Sequence, residues 1–484
     1  MRTNFIFRLI LIVVCSSLIT SCVKEFSPYD SKSEAIALSN LTDLQFATYG
    51  SYAGLVTEAY TRQGHFLGEY NSDNVALCKS TGDPLYNVYT YTHYPAQQNT
   101  TDFWRQAYQI IFSANQIIER IQDGESPALD QLKGENLYLR AMAHFDLVRF
   151  FGRPYSQGQG NNAGVVIRDN TDMTGLPSRS TVKEIYDFII ADLGKAASLM
   201  TVEKTASFAS KEVAYALLSR VYLFTEDNAK AIEYANLVIN SNRYRLLQGN
   251  DYATYFRKTP DENNETIFAV RHTVADNRNK ASIGSMYFTD GTSGWGQMYA
   301  SLTYMKRLSK YPEDLRRSFI AIQMAKNGID TLKRGGAPQL FINKYCYQEG
   351  FVNLSSPVYL RLAEMYLNRA EANAKLGNGQ LAIDDVNLIR QRAGLSGTAL
   401  YSVADLKDHA SVLDVVLEER RLELAFECQR SMDLFRNNRP MIRAYPGYHS
   451  QDLFHQNIPP TDPQVIFFLP EREIVINKNL IQNP

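Results

Sequence analysis

Cysteine, histidine and tryptophan are scarce in this chain of 484 residues, at five, seven and two. Cys15 sits in an apolar leader and Cys22 directly after it, which leaves Cys78, Cys346 and Cys428. Their spacing fits no zinc pattern and an odd number cannot pair fully, so they read as buried thiols, with one disulfide left open. The histidines are scattered, and the sequence holds no G-x-S-x-G elbow, no H-E-x-x-H pair and no phosphate-binding loop. Without a motif that sets nucleophile, metal ligands or backbone amides at fixed spacing, the chain is expected not to be an enzyme. A glycosidase carboxylate pair leaves no such spacing, and turnover on glycans would overturn this expectation. Excess charge is missing too. Lys and Arg number 50 against 51 Asp and Glu, which gives no basic footprint for nucleic acid. The longest apolar run, from Leu9 to Val14 and loosely on to Ile19, is about half the ~20 residues a spanning helix needs.

That run, preceded by Arg2 and Arg8, reads as a secretory signal over residues 1–21. It ends in Leu18, Ile19, Thr20, Ser21 and Cys22, which resembles a bacterial lipobox and implies lipid attachment at Cys22. Several acyl chains at roughly 0.8 kcal/mol per buried CH₂ give stable anchoring. Residues 22–484 are then expected to form one domain tethered at a membrane surface.

Helical periodicity recurs along this domain. Leu44, Tyr52, Leu55 and Ala59 form the first stripe, within 41–60. Trp104, Tyr108, Ile111, Asn115 and Ile118 form the next, followed by Leu137, Ala141, Phe145 and Val148, so 101–151 reads as an antiparallel pair with Trp104 in the core. His144 and Asp146 read as structural. Thr181 and Glu184 make a capping box that opens the stripes of 181–241. In 356–436, Ser356 and Pro357 predict a sharp helix start, and Gly394 ends the second helix there. Beyond it, Glu418, Glu419, Arg420, Arg421, Glu423, Arg430 and Asp433 read as an ion-pair network between helices. The tail from Phe467 to Pro484 reads as a strand-like run and a polar terminus. Hairpins that cannot cover their own stripes must stack, so the fold class is mainly α, with about four tetratricopeptide-like hairpins.

Two stretches lose the period, about 62–96 and 242–354, and form an irregular half with short strands such as TIFAVRHTV and QLFINKY. Long irregular chain in a compact domain usually serves binding. The first is rich in tyrosine, of which the chain has 30, and tyrosine suits binding surfaces. In the second, Trp295 lies between Gly294 and Gly296 with no helix or strand period around it, so it either presents a face to a ligand or packs its own loop. Asp169 and Asp172 near Gly175 lack alternate oxygen-ligand spacing. No cofactor is expected, and a structural calcium is left open.

Several blocks resemble the SusD/RagB family of outer-membrane lipoproteins across essentially the whole mature chain. They are FW…Y…I…AN at 103–115, LRAMAHFDLVRFFGRPY, LRLAEMYLNRAEANAKLG…A…VNLIRQRAGL, LEERRLELAFECQRSMDLFR and LPEREIVINKNLIQNP. Cys428 departs from the pattern, standing where the family usually has glycine. The resemblance implies one intertwined domain, an outer-membrane, cell-surface location in a Bacteroidetes-type bacterium, and a SusC-like TonB-dependent transporter as partner. It further implies capture of a glycan, with peptide capture or ligand-free scaffolding as alternatives. Stacking on aromatic rings plus a few hydrogen bonds, at roughly 1 kcal/mol each, suggests micromolar to millimolar affinity. Loop position nominates Tyr86, Tyr89, Trp295 and Tyr299, with Asp73, Asn74 and Arg278 as polar partners.

Overall fold

The periodic stripes become helices that stack in chain order. The computed structural model of the chain describes residues 38–79, 82, 85–450 and 456–484; Cys22 and the leader lie outside them. The long helices are α1 (Leu41–Val56), α2 (Gln98–Arg120), α3 (Pro127–Phe151), α4 (Val182–Leu199), α5 (Lys211–Phe224), α6 (Asn228–Ile239), α7 (Leu362–Lys375), α8 (Gly379–Arg392) and α9 (Val412–Glu423). Each packs on the next, from α1 on α2 through α8 on α9. The contact between α6 and α7 closes over the whole loop-rich segment that separates them in sequence. No helix of the described residues is long and apolar enough to cross a membrane.

Local chemistry sets the helix ends. Ser126 caps α3 with Pro127 in the first turn, and the Thr181 and Glu184 capping box opens α4 as expected. Gly394 follows α8 at φ +89°, in the left-handed region where glycine is unstrained. At 356–361 the helix reading fails. Val358–Arg361 is a strand, and α7 begins only at Leu362. Ser356 Oγ accepts the His272 N–H at 3.0 Å instead of capping. The β-branched and aromatic VYLR finds a partner strand in Thr266–Ala269, and that tertiary pairing outweighs the local Ser-Pro signal.

The strands are short, and those of three or four residues are β1 (Val75–Leu77), β2 (Thr266–Ala269), β3 (Met298–Ala300), β4 (Ile320–Ile322), β5 (Leu340–Ile342) and β6 (Val358–Arg361). They form antiparallel pairs, β1 with β3, β2 with β6 and β4 with β5. In the tail, Glu471–Ile476 is a helical turn rather than strand-like. One continuous hydrophobic cluster runs from Tyr52 to Leu480 and includes Trp104. It draws on both the helices and the loop-rich segment.

The charged end of α9 is structural. Arg316, Arg361, Arg390, Arg392 and Lys344 interlock with Asp314, Glu265, Glu419, Glu423 and Glu427, five cations against five carboxylates, all buried or nearly so. Beside them Arg420 and Arg436 share Glu371 and Asp433. Glu423 is held well below the usual carboxylate range: burial opposes ionisation, but Arg392, Arg361 and Arg316 outweigh it. The network ties α7, α8 and α9 to the segment that carries the loops.

Candidate functional site

Of the residues nominated from loop position, four lie in the interior. Tyr89 and Tyr299 are each 0 % exposed. Tyr89 has the Arg443 guanidinium 4.1 Å above its ring and hydrogen-bonds His449. Tyr299 stands in β3, opposite Ala76, and packs on Phe341 at 5.6 Å. Asp73 is a buried ion-pair partner of Arg430, at 2.7 Å, and of Arg421. Burial would raise its carboxyl, yet the two guanidinium groups hold it at about 2. Asn74 Oδ1 accepts from Arg421 Nε at 3.0 Å, and the Asn74 carbonyl accepts from the Ser301 N–H at 2.7 Å. The 62–96 stretch is therefore mostly core. Its polar side chains are buried in pairs with distant arginines and histidines, partners that no local spacing reveals.

Three nominated residues face outward. Tyr86 is half-buried, edge-on to Tyr448 with ring centroids 5.2 Å apart. Arg278 is exposed and lines a cleft. Trp295 is 47 % exposed, and its loop is built to hold it there. The Trp295 and Gly296 N–H groups both donate to the Ser285 carbonyl, at 2.6 and 3.0 Å. A Cβ on Gly294 would meet the Phe288 carbonyl at 2.1 Å, and Gly296 has φ +48° with Thr289 Cγ2 at 2.7 Å. Both glycines are thus required by close approach to Phe288 and Thr289, which follow the turn at Gly284–Tyr287. Asp290 Oδ1 accepts from the Thr292 and Ser293 N–H groups at 2.9 and 2.7 Å, which fixes the preceding bend.

Residues from other segments complete this surface. The Trp295 indole N–H donates to the Lys280 carbonyl at 3.2 Å, while Lys280 Nζ stands 5.0 Å from the ring centroid. Asn353 donates to the Ser293 carbonyl, and Phe351, two residues earlier, is also about half exposed. Arg334 reaches the Trp295 and Gly296 carbonyls at 3.5 Å. Sequence reading missed Lys280, Arg334, Phe351 and Asn353. They come from three separate stretches, and only the fold brings them to Trp295.

The cleft beside Arg278 runs between the π-helical turn Glu58–Arg62, His272, Asn277, Ser282 and Asn353. Burial, with help from Arg278, lowers His272 to about 4, so it is neutral at physiological pH. Through Thr61, Ile283 and Pro357 the cleft adjoins an inner cavity of about 80 Å³ lined by Tyr60, His65, Asp146, Arg149, Tyr359 and Cys428. Asp146 there accepts from Tyr60 and Tyr359 at 2.7 and 2.8 Å, a structural role. Cys78, Cys346 and Cys428 are all free thiols. Asp172 accepts from the Thr174 N–H at 2.8 Å, and Asp169 gives its carbonyl to Arg140.

A stack of helical hairpins carrying an outward-held aromatic loop defines a scaffold protein that presents a binding surface. Its particular kind follows from comparison with known proteins. The model of the SusD family matches residues 234–484, and a SusD-like model described as "starch-binding associating with outer membrane" matches 29–223. The chain belongs to the SusD/RagB family. A SusD-like protein of Formosa agariphila is 26% identical, over 89% of this chain and 90% of its own length. The crystal structure of a SusD superfamily protein from Bacteroides thetaiotaomicron superposes with a TM-score of 0.83 at 27% identity, covering 92% of this chain and 100% of that one. A protein from Bacteroides vulgatus, provisionally named as sugar binding, gives 0.80 at 26% identity, over 92% and 98%.

Proposed function

We propose that this chain is a lipid-anchored outer-membrane protein that captures saccharide and passes it to a SusC-like TonB-dependent transporter. Trp295 carries the reading. An indole held half exposed by two obligatory glycines, beside amide and cationic side chains, is suited to stack on the apolar face of a sugar ring while its neighbours bond the hydroxyls. Family membership supports the carbohydrate class, as does the sugar-binding name of a structural neighbour. Cys22 after its apolar leader supports the anchor. In this reading residues 22–484 form a single intertwined domain without catalytic activity, and weak capture suits handover.

Calorimetric titration with panels of oligosaccharides and oligopeptides tests the proposal. Saccharide binding is expected, weakened at least several-fold in Trp295→Ala with folding intact. Binding of peptides alone would replace it with peptide capture, and binding of neither would leave a scaffold. Co-purification of the protein with a TonB-dependent barrel from detergent-solubilised outer membranes tests the partner.

A further inference from the structure

The charges around Trp295 say more about its ligand. Lys280 places its ammonium over the indole ring, Arg278 lines the adjoining cleft, and Arg334 stands against the Trp295 and Gly296 carbonyls. Among the described residues none of these three cations has an ion-pair partner. Other surface cations among the described residues, such as Arg317 and Arg472, also lack an ion pair; what sets these three apart is their place around a half-exposed indole. The carboxylates of the same region are otherwise engaged. Asp290 takes the N–H groups of its own bend, Asp276 takes the Thr273 hydroxyl at 2.8 Å, and Glu58 pairs with Arg62 at 3.1 Å. His272, neutral in the cleft, adds no charge.

Unpaired cations flanking a stacking ring fit a ligand that brings its own negative charge. We propose that the Trp295 surface selects saccharides bearing anionic groups, with the ring face on Trp295 and the anion met by Lys280, Arg278 and Arg334. The inference rests on the saccharide reading above and narrows it. Carboxylate and sulfate share the required chemistry: several oxygens that accept charge-assisted hydrogen bonds from guanidinium and ammonium groups. Attraction at an exposed site is screened by salt, so affinity should fall as ionic strength rises.

The test uses matched ligands and the full chain in detergent: oligogalacturonate against its methyl ester, and sulfated carrageenan oligosaccharides against their desulfated counterparts. A charged member is expected to bind about tenfold tighter than its neutral counterpart. Which pair shows the difference separates carboxylate from sulfate. The double variant Lys280→Gln, Arg278→Gln should remove most of that preference, weakening the charged member several-fold more than the neutral one. Equal or tighter binding of the neutral members, still lost in Trp295→Ala, overturns the charge inference and leaves the saccharide reading standing. Charged preference that survives the double variant overturns the assignment to these cations. Binding of no saccharide at all overturns both readings.

Discussion

Cys428 occupies a left-handed backbone conformation, φ +59°, that suits glycine better than any side chain. Its Cβ lies where a Cβ on Gly68 would come within 2.8 Å, its Sγ is 3.3 Å from His65 Nδ1, and its N–H donates to Glu69 at 2.9 Å. A side chain at this half-buried position is therefore strained. Cys428→Ala keeps the strain and loses the sulfur contacts, whereas Cys428→Gly relieves it. In urea denaturation the glycine variant should exceed the alanine variant by about 1 kcal/mol. Glu69 makes the same pocket sensitive to pH. Burial pushes its carboxyl up to about 7, against hydrogen bonds from Cys428 and Ser72 that favour the anion. Above that value the folded state holds a buried carboxylate at full cost; below about 4.5 both states hold the proton and the cost disappears. Glu69→Gln should therefore exceed the wild type by on the order of 3 kcal/mol at pH 8, with the difference vanishing as pH falls to about 4.5. Paired denaturation curves across that range check it. Single residues were the least legible part of the sequence. Trp295 was readable from its glycines, but Tyr89 and Tyr299 look like surface tyrosines until their partners are seen, because Arg443 and Phe341 lie far away in the chain.

Helices were legible because their apolar spacing is local, and the capping box at Thr181 shows how far that reading reaches. It failed at Ser356, where a strand partner some distance away decided the outcome. Two elements carry predictions. Gly294→Ala must move the Trp295 loop off the Phe288 carbonyl, so tryptophan emission should shift and saccharide affinity drop severalfold, with little change in far-ultraviolet circular dichroism. In the buried network, Glu423→Ala removes one of the two carboxylates that Arg361 and Arg392 share, leaving only Glu265 between them, and should cost roughly 3–5 kcal/mol. The exposed Lys183 pair with Asp187, removed by Lys183→Ala, should cost less than about 1 kcal/mol. Chemical denaturation of the two variants side by side distinguishes a network that locks helices from surface decoration.

At the scale of the molecule, the helices and the loop-rich segment share one core, and α6 rests on α7 across the loop-rich segment. Proteolytic nicking in the exposed bend around Ile329 should leave the pieces associated, eluting together and unfolding in one thermal transition. Separation of the pieces would break the single-domain reading. The site itself depends on pairings remote in sequence, as the contributions of Lys280, Arg334 and Asn353 to the Trp295 surface illustrate, and for that reason it was the least readable large feature.

The pairing of β2 with β6 also sets an order of events. Thr266 faces Arg361 and Ala269 faces Val358, so the segment that carries Trp295 leaves and re-enters the stack at one neck. Closing so long a loop is slow, because its entropy is lost before any contact at the neck compensates for it. The hairpins of α5 with α6 and α7 with α8 need only a three-residue turn each and can form first. In refolding, helical circular dichroism should recover ahead of the emission of Trp295, followed in a Trp104→Phe background. The protein would then spend part of its folding time as an ordered stack that cannot yet bind.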